Sequence, residues 1–168
     1  HFDTDNAYYV LVDVESTALK PWQGSTLEIS YKGYKDDAVQ GTFKRRFGED
    51  ELFDVPSTEM LEKMYPGIGY DEQLIKYKAR YTSPDGLSES DMFLEFNKMI
   101  LELQRTQDKP VVFVMHNGEK FDINWINSRM RATNNSADLF DSITKIDTLS
   151  LLREAEGYWT LPTQSRRD

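Results

Sequence analysis

The sequence predicts an α/β fold on a mixed five-stranded sheet, with an antiparallel three-strand meander and helices on both faces. Two observations carry this. Three successive strand patterns between residues 8 and 47 are joined by short turn-rich connections, the pattern of a meander. Later, an amphipathic helix over 88–105 leads into Val111-Val112-Phe113-Val114-Met115, a continuous apolar run of the kind buried on both faces of a sheet. A helix feeding such a strand implies a crossover that lays it parallel to the first strand.

The first strand is Tyr8-Tyr9-Val10-Leu11-Val12, continuing into Asp13-Val14-Glu15-Ser16-Thr17. Ala18 to Ser25 holds Pro21 and Gly24 and reads as a loop. Thr26 to Tyr34 alternates apolar and polar residues, a half-buried strand. Lys35-Asp36-Asp37 turns the chain, and Val39 to Phe47 pairs back antiparallel. Ser57-Thr58-Glu59 caps a short helix through Tyr65, ended by Pro66-Gly67. Residues 68–87 show no clear period and carry the turn signal Pro84-Asp85-Gly86. Ser88 with Asp91 starts the helix whose Met92, Phe93, Phe96, Met99, Ile100 and Leu103 form one apolar stripe. After the buried strand, a helix runs from Glu119 or Lys120 to Arg131. Leu139-Phe140 is a minimal strand, and Asp147 or Thr148 caps a helix over about Leu149 to Glu154. The expectation is one domain over 1–168.

Composition narrows the function classes. Apolar residues at 39% and aromatics at 12% indicate a folded globule. No apolar run approaches the length of a membrane span. The absence of cysteine excludes disulfides and thiol catalysis and fits an intracellular, cytoplasmic compartment. With only His1 and His116, a histidine-rich metal site is excluded. The net charge of −9 opposes a broad phosphate-binding surface, but it permits an enzyme that meets phosphate through metal ions. The basic clusters Lys44-Arg45-Arg46, Lys76/Lys78/Arg80 and Arg129/Arg131 read as solvated surface charge.

Asp13 and Glu15 are two positions apart, so in a strand their side chains share one face. Clustered carboxylates repel, and a hard divalent cation such as Mg²⁺ or Mn²⁺ relieves that repulsion. The alternative is a strand that stops at Val12, leaving both acids solvated in a loop. A second acid, Asp122, sits in the first turn of the helix after Met115. There it either stabilises the helix N-terminus or faces the carboxyl end of the first strand and joins Asp13 and Glu15.

At this point the chain resembles a family. Asp13-Val14-Glu15-Ser16-Thr17 resembles the first motif of the DEDD (DnaQ-like) 3′→5′ exonucleases, usually D-x-E-T-T-G, with Ser16 and Ala18 departing from it. Thr26-Leu27-Glu28-Ile29-Ser30 resembles the second strand of that family. His116-Asn117 followed by Phe121-Asp122 resembles the second motif, H-N-x-x-F-D, with one additional residue in between. Ile146-Asp147-Thr148-Leu149 is similar to a following Asp-Thr-Leu segment. The family's last acid, with the His or Tyr that precedes it, has no match: neither Tyr158 nor Asp168 has the required surroundings, and the last helix is expected to be missing.

The resemblance implies a ribonuclease H-like three-layer fold and hydrolysis of phosphodiester bonds at the 3′ ends of single-stranded RNA or DNA. It implies two divalent ions, Mg²⁺ or Mn²⁺, held by Asp13, Glu15 and Asp122. Ser16, Thr17, Ala18, Leu19, Asn117 and Phe121 would line the terminal nucleotide, with core packing as the rival role for Phe121. His116 and Asp147 would support the metal site from behind. The alternatives are a catalytically degenerate module that binds nucleic acid or a protein partner, and a small-molecule phosphoesterase using the same acids.

Overall fold

The computed structural model describes residues 2–49, 51, 54–116 and 121–148. Its strands are β1 (Tyr8–Ser16), β2 (Thr26–Gly33), β3 (Asp36–Lys44), β4 (Val111–Met115) and β5 (Thr144–Asp147). Its helices are α1 (Thr58–Met64), α2 (Tyr70–Tyr81), α3 (Glu89–Thr106), α4 (Asp122–Ala132) and α5 (Asp138–Ser142). The strands form one open sheet in the order β3-β2-β1-β4-β5. β1, β2 and β3 are the antiparallel meander. β4 lies parallel to β1, and β5 parallel to β4. The predicted mixed α/β sheet is therefore present.

The main core lies over one face of this sheet. Val10, Val12 and Val14 of β1 and Ile29 of β2 meet the α3 stripe of Met92, Phe93, Phe96, Met99, Ile100 and Leu103. Trp125, Ile126 and Met130 of α4 and Phe140 of α5 complete it. Each large apolar side chain so buried contributes about 1.5–3 kcal/mol. α3 starts as its sequence requires: the Ser88 hydroxyl accepts from the Asp91 amide at 3.1 Å. The other face carries a smaller cluster, Tyr9, Val112 and Val114, with Phe2, Tyr34 and Ile146 against it.

α1 and α2 form a separate layer around Leu27, Phe47, Leu61, Tyr77 and Tyr81. α2 corrects the reading of residues 68–87 as aperiodic. Its buried positions are Gln73, Tyr77 and Tyr81, spaced as a helix face but one amide and two phenols in composition. Gln73 is buried because its amide donates to Glu62 at 2.7 Å and to the Tyr65 carbonyl at 3.1 Å. Ile75, the residue a hydrophobic count would turn inward, is exposed.

Two further expectations are corrected. Leu139-Phe140 lies in helix α5, not a strand, with Phe140 buried in the core and Leu139 packed against it. The fifth strand is instead Thr144–Asp147, with Ile146 and Asp147 beside Val114 and Met115, and helical backbone begins at Thr148 directly after Asp147. The expected helix over 149–154 lies outside the described residues.

In two of the basic clusters one arginine is not surface charge, while Arg46 and Arg131 are exposed. Arg45 is buried, its guanidinium bound to Glu51 at 2.7 Å and to the Thr26 carbonyl at 3.3 Å. Arg129 donates to both oxygens of buried Glu89, at 3.0 Å and 2.5 Å. The same Glu89 oxygen that takes the Arg129 Nε–H also accepts the Thr26 amide and hydroxyl, each at 2.8 Å. Trp125 donates to that hydroxyl at 2.9 Å, and Arg129 reaches the Pro21 carbonyl at 3.1 Å. A closed polar network thus anchors the β1–β2 loop to α3 and α4.

Candidate active site

β1 runs to Ser16, so Asp13 and Glu15 lie within the strand and the loop alternative is excluded. Both alternate with buried Val12 and Val14 and project from the face opposite the main core. In the β1–β2 ladder Asp13 faces Ser30 and Glu15 faces Glu28. Both carboxyls are pushed up from the ordinary range. Burial is the main cause, with Glu28 adding to it at each and Asp13 adding to it at Glu15. At Asp13 the Val14 amide and His116 pull the other way.

Asp122 opens α4 directly after Phe121 and is 4% exposed. The helix dipole at that end favours the ionised form by about 0.3–1 kcal/mol. It loses. Burial, then Asp13, Glu15 and Asp147 in turn, raise the Asp122 carboxyl from 3.8 to about 7. That rise corresponds to something on the order of 4 kcal/mol in favour of the proton. Asp122 is therefore within electrostatic reach of both β1 acids and of Asp147 at the end of β5. The acids gather at the carboxyl ends of β1 and β5 and the start of the helix after β4, where open α/β sheets place their sites. His116 follows β4 and pairs through Nδ1 with the Thr148 hydroxyl at 2.8 Å.

The acids converge electrostatically without closing on a single point. Among the described residues no three carboxylates or histidines stand close enough together to hold a metal ion. The donor chemistry does suit a cation: one side holds a buried, proton-binding aspartate, and Asp13 and Glu15 are raised in the same direction.

The loop after Glu15 is built differently from the expectation. Ser16 and Thr17 are buried, and their hydroxyls act inside the loop. Ser16 donates to the Ala18 carbonyl at 2.7 Å, and Thr17 Oγ1 accepts the Ser25 amide at 2.9 Å. A side chain at Gly24 would collide with that same Thr17 oxygen, so the closure depends on glycine there. Ser16 and Thr17 therefore shape the loop, whereas Leu19, 75% exposed, is presented by it. Ala18 is half-buried. Phe121 stacks on Trp125 with ring centroids 5.6 Å apart and packs against the main core, which favours its structural role. Asn117 lies outside the described residues.

One part of the site was missed by sequence reasoning. Glu28, opposite Glu15, has its carboxylate held by Arg80, at 2.5 Å and 3.2 Å, and by the Tyr81 hydroxyl at 2.5 Å. The sequence marks Glu28 as a polar position of an alternating strand and as part of the segment resembling the family's second strand, with no role at the site. The unbroken antiparallel register from Val10–Gly33 to Glu15–Glu28 sets its pairing with Glu15, which no sequence signal marks.

Solved structures that share this fold include forms of exonuclease I. The chain is similar to it in fold. The apo form of exonuclease I superposes with a TM-score of 0.63 at 12% identity, covering 95% of this chain and 33% of that one. The zinc-bound E. coli complex with single-stranded DNA gives 0.65 at 11% identity over 95% of this chain and 31% of that one. The E. coli complex with a dT13 oligonucleotide gives 0.61 at 12% identity over 89% and 30%. The chain thus spans about a third of the exonuclease I structures it matches. No family model and no curated protein matches it. At such identities the likeness establishes the ribonuclease H-like α/β fold.

Proposed function

We propose that the chain is the nuclease module of a 3′→5′ exonuclease that hydrolyses phosphodiester bonds at the 3′ ends of single-stranded RNA or DNA, using Mg²⁺ or Mn²⁺. One observation carries the reading. Asp122 is buried at the start of α4 within electrostatic reach of Asp13, Glu15 and Asp147 from separate segments, and burial first, then those three acids, lift it to about 7. A protein gains nothing in stability from such a cluster unless a cation or a proton relieves it. The exonuclease I complexes with single-stranded DNA support the same substrate class.

Asp13, Glu15 and Asp122 would hold the divalent ions, with Asp147 close behind. Bound there, the ions would supply water activation and neutralise the charge that develops on the leaving 3′ oxygen. The chain's own residues do the rest. The Thr17–Ser25 closure fixes the loop that presents Leu19 as an apolar contact for the terminal base. His116, tied to Thr148, stands beside Asp13 and lowers the cost of its charge. Arg80 and Tyr81 bind Glu28 and so limit its repulsion of Glu15.

The second reading is a nuclease-like module that binds nucleic acid or a protein partner without cutting. It is favoured by the absence, among the described residues, of three acids close enough to ligate one ion. The assay that separates the two uses a 5′-labelled single strand with Mn²⁺ or Mg²⁺. The nuclease reading predicts a ladder shortening from the 3′ end, abolished by Asp13→Ala. Retention of an intact strand that still binds the protein selects the second reading.

A further inference from the structure

We infer that the cleft between α1, α2 and the β2 side of the sheet is a nucleotide subsite that grips a single strand beside the acid cluster. The inference takes its substrate class from the nuclease reading and its location from the cleft's own residues. The cleft has a volume of about 510 Å³ and is lined by Glu15, Glu28, Lys63, Tyr65, Arg80 and Tyr81, with Met64. That size suits a small organic ligand. Glu15 is both a wall of this cleft and a member of the acid cluster, so the two are continuous.

The cleft sets two cations and two aromatic rings beside its two acids. In a chain of net charge −9, Lys63 and Arg80 both line it. Lys63, in the last turn of α1, is exposed and has no ion-pair partner among the described residues. Arg80 is fixed by Glu28, with its side chain still 46% exposed. Two of its five N–H donors meet that carboxylate, which leaves others for a phosphate oxygen. Tyr65 presents a half-buried ring between them. A second cleft of about 520 Å³ shares Met64, Tyr65 and Arg80 and adds Lys76, so the cationic and aromatic wall continues away from the acids. A cation beside an aromatic face is the pattern that holds an unpaired nucleotide by phosphate and base together. A stacking contact requires a base not engaged in a duplex, so the occupant is single-stranded.

The test compares the parent with Lys63→Glu, Lys63→Arg and Tyr65→Ala. Lys98→Glu, the same charge change on the outer surface of α3, is the control. Binding of a 5′-fluorescein hexathymidylate is followed by anisotropy in EDTA across a salt series. Turnover of the same strand and of p-nitrophenyl thymidine 5′-phosphate is followed with Mn²⁺. The expected result is about tenfold weaker strand binding by Lys63→Glu and Tyr65→Ala, and restored binding by Lys63→Arg. The Lys63→Glu salt slope should fall by about 0.7, one phosphate contact on a single strand. Strand turnover should fall several-fold more than turnover of the small ester. Lys63 is exposed, so its variants remain informative even if Tyr65→Ala unfolds the α1–α2 layer. Strand binding and turnover by Lys63→Glu equal to those of Lys98→Glu overturn the subsite. If that occurs while the parent degrades the strand, the nuclease reading survives alone. If the parent binds through Lys63 but cleaves nothing, the subsite stands and the nuclease reading falls.

Discussion

Glu15 and Glu28 face each other across the β1–β2 ladder, and Glu28 is the one whose charge the protein neutralises. Two carboxylates directly opposed on adjacent strands are destabilising. Arg80 and Tyr81 bind Glu28, which leaves Glu15 as the acid open to an external cation.

This arrangement predicts the effect of removing one hydroxyl. Tyr81 is fully buried and donates to Glu28 at 2.5 Å. Tyr81→Phe keeps the ring in the α1–α2 layer and deletes the hydrogen bond to a charged acceptor. Urea unfolding should show a loss of about 1.5–3 kcal/mol. With Glu28 less restrained, the Mn²⁺ concentration needed for half-maximal turnover should rise. An unchanged unfolding midpoint would show that the hydroxyl does not hold Glu28 in solution.

The pH dependence of stability follows from Asp122. Its folded value is about 7 against an ordinary 3.8, so the folded chain binds the extra proton between those limits. The resulting stabilisation is complete below about pH 4 and is lost as the pH rises through about 7. In metal-free buffer the chain should lose something on the order of 4 kcal/mol between pH 4 and pH 8 from this buried group. Asp13 and Glu15, also raised, act with the same sign. Asp122→Asn should flatten this dependence and be more stable than the parent at pH 8. Guanidinium unfolding at a series of pH values, with EDTA present, measures both.

The Glu89 network makes the largest single prediction. Glu89 is buried and accepts from Arg129, the Thr26 amide and the Thr26 hydroxyl. Glu89→Ala strands a guanidinium and a backbone amide away from water. Such a truncation costs about 3–5 kcal/mol. Because Arg129 also holds the Pro21 carbonyl, amide exchange in the 17–25 loop should quicken in Glu89→Gln, the milder variant. A cost below about 1 kcal/mol for Glu89→Ala would show that the network is solvated.

The elements legible in the sequence are those whose apolar residues carry the period. The α3 stripe, the all-apolar β4 run and the alternation of β2 are all visible there, and each is buried as its pattern implies. α2 was hidden because its inward face is Gln73, Tyr77 and Tyr81, and Ile75 points outward. β5 was hidden because Thr144–Asp147 is a short, half-exposed edge strand without alternation. Of the candidate site, Asp13 and Glu15 stand out in the sequence because they interrupt an apolar strand, and Asp122 because it opens the helix after another. The roles of Glu28 and Arg80 stayed invisible: they depend on the strand register that sets Glu28 opposite Glu15 and on a helix that the hydrophobic pattern does not announce. Arg45 and Arg129 looked like surface charge because no local pattern reveals their distant partners Glu51 and Glu89.

Metal binding tests the central claim most directly. Mn²⁺ is titrated into the metal-free chain at pH 8, and free Mn²⁺ is read by its electron paramagnetic resonance signal while the unfolding temperature is recorded. The parent should take up Mn²⁺ and gain unfolding temperature, and Asp13→Asn and Asp122→Asn should each lose most of both effects. Equal uptake by the parent and both variants, or none by the parent, would contradict the assignment of these acids to one cation site.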